Sequence, residues 1–110
     1  MIYVSFSMTI RDGEQEYSTD YIASINANSL SSDLIKKTLM KEVCMQEIGD
    51  PEDCRVDEND VVWDDGGDYR CVWLGHPIIL MPKAHFKIMK KYNICAFENL
   101  KAVSQNFQFR

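Results

Sequence analysis

Glycine and proline are scarce in this 110-residue chain, at five and three residues. Neither a G-x-G-x-x-G nor a P-loop pattern occurs, so the glycine-rich backbone cradle that nucleotide-binding folds place around phosphates is missing. Histidine occurs twice, as His76 and His85, and the four cysteines, Cys44, Cys54, Cys71 and Cys95, include no C-x-x-C pair. The short-range ligand pairs of zinc fingers and ribbons are therefore absent. His76 precedes a proline in a predicted turn, and His85 falls on a predicted helix face; both read as structural histidines. The chain also lacks a long apolar run: residues 78–81 form its longest, far short of a membrane span. Residues 1–10 carry no basic segment and alternate in polarity, unlike a secretory leader. With nothing pointing to secretion, the expectation is a cytoplasmic protein with reduced thiols, Cys44 and Cys71 acting as small buried hydrophobes.

Basic residues are short as well. Twelve Lys and Arg stand against seventeen Asp and Glu, a net charge of −5. Nonspecific nucleic-acid binding draws on a basic footprint, so direct nucleic-acid binding is not expected.

What the chain does have is 45% hydrophobic residues with five Phe, five Tyr and two Trp, enough bulk for one packed domain spanning residues 1–110. Ile2, Val4, Phe6, Met8 and Ile10 share one parity, the period of a half-buried strand. Asp12-Gly13 marks a turn, and Tyr17, Thr19, Tyr21, Ala23, Ile25 and Ala27 resume the alternation, which predicts a β-hairpin over the first 28 residues. Serines 29, 31 and 32 with Asp33 predict a helix start. Ile35, Leu39, Met40, Val43 and Cys44 then fall in one sector of a helical wheel, and Gly49-Asp50-Pro51 ends the helix. Residues 61–63 and 69–74 flank Asp64-Asp65-Gly66-Gly67-Asp68 as a second hairpin. Residues 78–80 read as a short extended piece. Pro82 opens a second helix through Tyr92, with Asn93 as its stop; a strand through Ala84, Phe86 and Ile88 is the competing reading. Residues 103–109 alternate once more, as a final edge strand. The fold class expected is α+β: an antiparallel sheet of about five strands, two hairpins plus a C-terminal strand, with two helices packed on one face.

The charge is unevenly spread. Residues 49–70, GDPEDCRVDENDVVWDDGGDYR, carry nine acids and two arginines, whereas residues 81–110 carry six bases and one acid. A solvated loop has no need of the interleaved Val56, Val61, Val62, Trp63, Tyr69 and Trp73. Carboxylates around aromatic anchors suit a basic partner, charge speeding encounter and a few aromatics supplying most of the affinity. The same carboxylates are candidate calcium or magnesium ligands, but the twelve-residue EF-hand register is absent, and Asp-Asp-Gly-Gly-Asp is accounted for by turn chemistry. No metal and no cofactor are therefore expected.

The reading is a non-enzymatic acidic inhibitor that engages a basic protein, either a nuclease toxin, as an immunity protein would, or a nucleic-acid-binding defence complex, as a phage anti-defence protein would. The contact residues expected are Asp57, Glu58, Asp60, Trp63, Asp64, Asp65, Asp68 and Tyr69. The alternatives are a small enzyme using Cys71 with His76, and a structural subunit whose acidic stretch is solubilising.

Overall fold

The computed structural model describes residues 1–64, 69–75, 77–92 and 95–109. Among them, seven strands form one mixed sheet: β1 (Ile2–Asp12), β2 (Gln15–Asn26), β3 (Cys54–Val56), β4 (Val62–Asp64), β5 (Arg70–Leu74), β6 (Ile79–Leu80) and β7 (Cys95–Lys101). Two α-helices, α1 (Ser32–Glu47) and α2 (Lys83–Lys91), complete the described elements, with one 3₁₀ turn at Pro51–Asp53. The sheet order is β3-β4-β5-β1-β2-β7, and β6 lies beyond β5 along the same edge of β1.

The first hairpin follows directly from its alternation. Val4, Phe6, Met8 and Ile10 are buried, and their odd-numbered neighbours are half-buried. Across the ladder, Val4 faces Ala23 and Ile2 faces Ile25. α1 lays Ile35, Leu39, Met40, Val43 and Cys44 over this face, together with Val62, Val72 and Leu74. Ser31 caps the helix by accepting the Leu34 N–H at 3.2 Å. The Thr38 hydroxyl donates to the Leu34 carbonyl and accepts the Val103 N–H, which holds the C-terminal tail against the helix.

The expected sheet needs correcting: it has seven strands, not about five, and is mixed rather than antiparallel. β3 and β6, at three and two residues, are too short to show a period. The last strand is not 103–109 but Cys95–Lys101, and it runs parallel to β2. The direction is set by α2, which carries the chain back after β6 so that β7 enters alongside β2 in the same sense. The pattern of β7 is disguised by a bulge between Ala23 and Ile25 of its partner. Asn99 there has φ +56°, its N–H donates to Ser24 Oγ, and Phe97 and Leu100, three apart, face the same core.

The helices also fail to share a face. Tyr3 has the parity opposite to Val4, and its ring meets that of Phe86 on α2 with centroids 5.0 Å apart. Phe86 is thus buried under the sheet together with Ile22, on the side away from α1. The helical reading of 82–92 holds against the strand alternative, although Phe86 rather than Ile88 is the residue it buries. Asn93, expected as its stop, lies outside the described residues.

Candidate functional site: the acidic end of the sheet

The β1–β2 turn and the start of β5 sit side by side. Gly13 adopts φ +65°, its N–H donates to the Tyr69 carbonyl at 2.9 Å, and a Cβ there would come within 2.7 Å of the Tyr69 ring. Glycine is what allows the tyrosine to lie over the turn. One residue on, Arg70 pairs with Asp12 across the ladder, and its Nε stands 3.6 Å from the Asp12 carboxylate. The Arg70 guanidinium also donates to the Glu47 carbonyl at 2.6 Å. α1 has no basic residue in its last turn. Arg70 supplies that missing cation from another strand, satisfying a free carbonyl at the negative end of the helix.

Arg70 therefore fastens three elements at one end of the sheet. A fourth joins because Cys54 pairs with Asp64, which brings the 3₁₀ turn before β3 to the same end as the close of β4. Asp50 opens that turn by accepting the Glu52 N–H at 3.0 Å. The outcome is a convergence of carboxylates from separate stretches of chain: Asp12, Glu14 and Glu16 from the first hairpin, Asp50, Glu52 and Asp53 from the connector, and Asp64 from β4. All but Asp64 are exposed. Tyr69, 69% exposed, lies against the first hairpin's turn beside Asp12 and Glu14, and Tyr17, 50% exposed, follows that turn on β2.

The sequence-predicted residues divide between two ends of the β3–β4 hairpin. Asp64 and Tyr69 lie at the acidic end, and Asp65 and Asp68 fall outside the described residues. Asp57, Glu58 and Asp60 lie in the opposite turn. Asp57 organises that turn: its carboxylate accepts the N–H groups of Asn59 and Val61 and the indole N–H of Trp63. These bonds, that of Trp63 foremost, hold its carboxyl below the usual range. Asp60 pairs with Lys36 at 2.6 Å, and Glu58 is exposed.

Trp63 is half-buried in a cross-strand row in which Arg11 faces Cys71, Cys71 faces Trp63, and Trp63 faces Arg55. Both guanidinium groups lie over its ring, at 5.2 and 5.3 Å from the centroid. With its N–H bonded to Asp57, this indole is engaged within the sheet and serves as packing. Of the two expected anchors, Trp63 and Tyr69, Tyr69 is the one left exposed.

Cys71 is the buried member of this row, and burial pushes its thiol up, with Arg11 pulling the other way. His76 lies outside the described residues, and His85 is exposed on α2. Among the described residues, no group of three or more His, Cys, Asp or Glu is arranged to hold a metal ion.

Arg11 and Arg70 lie at this acidic end, but a cluster of four lysines lies elsewhere. α2 packs over Tyr3, and roughly 30 Å of strand separates Tyr3 from Gly13. Lys83, Lys87, Lys90 and Lys91 are exposed on that helix, and Lys90 pairs with Glu98 at 2.7 Å. The charge asymmetry along the sequence is thus an asymmetry in space. The contribution of Asp12, Glu14 and Glu16 was missed in the sequence, where they read as an ordinary turn. The local signal is the Asp-Gly turn alone; that it meets the start of β5 follows from the antiparallel pairing of β1 with β5, which local residues do not encode.

Comparison with protein-family models, curated proteins and solved structures finds no match for this chain. No helix among the described residues is long and apolar enough to cross a membrane.

Proposed function

We propose that the protein is a non-enzymatic inhibitor that binds a basic protein with the acidic end of its sheet. The observation that carries this reading is the junction of the two hairpin tips through Gly13, Tyr69 and Arg70, which assembles carboxylates from distant parts of the chain around an exposed tyrosine. Such a surface attracts a basic partner over the Debye length, about 8 Å at physiological salt, and supplies an aromatic to bury on contact. Proteins that act on nucleic acids carry the largest basic clefts, so the target class is a nuclease toxin or a nucleic-acid-binding defence complex in the cytoplasm. Glu14, Glu16, Glu52 and Tyr69 form the central contact, with Asp65 and Asp68 adjoining in sequence.

This differs in emphasis from a surface centred on Asp57, Glu58 and Asp60. Asp57 is occupied with the β3–β4 turn and Asp60 with Lys36, and these two and Glu58 lie at the other end of the hairpin. The test is binding that weakens with salt and with charge reversal at the acidic end, and that persists when an equal number of carboxylates elsewhere is reversed instead.

A further inference from the structure

Cys44 lies near the end of α1, and Cys54 is the first residue of β3. Both are buried, and their sulfurs are 3.0 Å apart. The Cys44 thiol is also 3.5 Å from the Gly49 carbonyl, to which it donates. All four cysteines carry free thiols. Bond formation requires the two sulfurs to close from 3.0 Å to about 2.05 Å, a movement of roughly 1 Å. The intervening segment is already folded into the 3₁₀ turn that brings the two residues together.

We propose that Cys44 and Cys54 are a disulfide-forming pair whose co-reactant is a low-molecular-weight disulfide such as oxidised glutathione. One thiolate attacks a glutathione sulfur, forming a mixed disulfide and expelling a glutathione thiolate. The second cysteine, as thiolate, then attacks the protein sulfur of that mixed disulfide and expels the other glutathione. The pair loses two electrons and two protons, and one glutathione disulfide becomes two glutathione thiols. Burial raises both thiols above the ordinary cysteine value, so the folded protein reacts slowly, through opening of the segment between them. In a reducing cytoplasm the pair stays as thiols; under oxidising conditions it closes and fastens the acidic connector of Asp50, Glu52 and Asp53 to α1. This inference stands apart from the binding reading, because it concerns the chain alone.

The experiment equilibrates the full-length protein with oxidised glutathione, blocks remaining thiols after unfolding, and maps the tryptic peptides. No Lys or Arg lies between Lys41 and Arg55, so residues 42–55 form one peptide holding both cysteines, while Cys71 and Cys95 fall in others. The expected result is that peptide 42–55 loses two hydrogens and takes up no blocking reagent. The oxidised protein is also expected to melt about 10 °C higher than the reduced one, a shift absent in Cys54→Ser. Peptide 42–55 with both cysteines blocked, a persistent glutathione adduct on either, or pairing of Cys44 or Cys54 with Cys71 or Cys95 would overturn the proposal. If Cys54→Ser does not fold, the wild-type peptide map decides alone.

Discussion

The amide of Gly13 donates to the carbonyl of Tyr69 at 2.9 Å, and the tyrosine ring occupies the space a side chain at Gly13 would fill. This contact joins two hairpin tips that lie more than fifty residues apart in the chain, and it positions the acidic end of the sheet. Gly13→Ala places a side chain on a backbone at φ +65°. The left-handed conformation costs an L-residue about 1–2 kcal/mol. The exposed Tyr69 ring can swing aside, so the loss measured by urea unfolding is expected to stay in that range. Adding Tyr69→Ala removes the clash and leaves most of the loss in place; full recovery of stability would show that crowding, not backbone strain, sets the cost.

Asp57 gives a pH dependence with a definite sign. Its folded carboxyl is held below its ordinary value by three hydrogen bonds, that of Trp63 first. Stability from this group is fully present above the unfolded carboxyl value of about 4 and is lost as pH falls through the lower folded value. In Asp57→Asn, which does not titrate, the fall in stability as pH drops below about 4 should be shallower than in wild type. Parallel acid-unfolding curves for the two proteins would show that Asp57 does not contribute.

Phe86 is the main apolar contact of α2 with the sheet. Truncating a buried phenylalanine to alanine costs about 3 kcal/mol. Because Phe86 packs on Tyr3 and α1 packs on the opposite face, Phe86→Ala is expected to speed hydrogen exchange in α2 while α1 amides keep their protection order. Equal loosening of both helices would contradict the two-faced arrangement.

The sequence was most legible where one element buries one regular stripe. The alternation from Ile2 to Ile10 and the wheel sector of Ile35, Leu39, Met40, Val43 and Cys44 appear in the structure as read, because each faces a single core. The second hairpin is also present, its strands pairing Val62 with Val72 and Trp63 with Cys71. β7 was missed because its bulge at Asn99 puts Phe97 and Leu100 out of period two, and because the decision to run parallel lies in the path of α2 rather than in local residues. Tail residues 103–109 alternate without pairing: Val103 is held by Thr38, and Phe107 meets Phe109 edge-on. The candidate site was half legible. The excess charge of residues 49–70 is plain in the sequence, but its division by β4 into two turns, and the joining of one of them by Asp12, Glu14 and Glu16, depend on tertiary register.

Arg70 is the pin of that register, and its replacement tests the assembly of the acidic end. Arg70→Ala removes a charged donor from the Glu47 carbonyl and a partner from Asp12, and is expected to cost about 1–2 kcal/mol in urea unfolding. Arg70→Lys keeps the charge but not the fork that reaches both groups, so it should restore less than half of the loss. Complete rescue by lysine would show that charge alone suffices.

The central claim is that the acidic end of the sheet is a contact surface for a basic protein. The most direct measurement is capture of partners at low and high salt by three tagged chains: wild type, Glu14→Lys/Glu16→Lys/Glu52→Lys at the acidic end, and Asp20→Lys/Glu42→Lys/Glu58→Lys elsewhere. The two variants change net charge equally. The account predicts that wild type retains a basic protein, that salt weakens the capture, that the variant at the acidic end loses it at least tenfold, and that the other variant keeps it. Equal capture by wild type and the acidic-end variant, or equal loss in both variants, would contradict it.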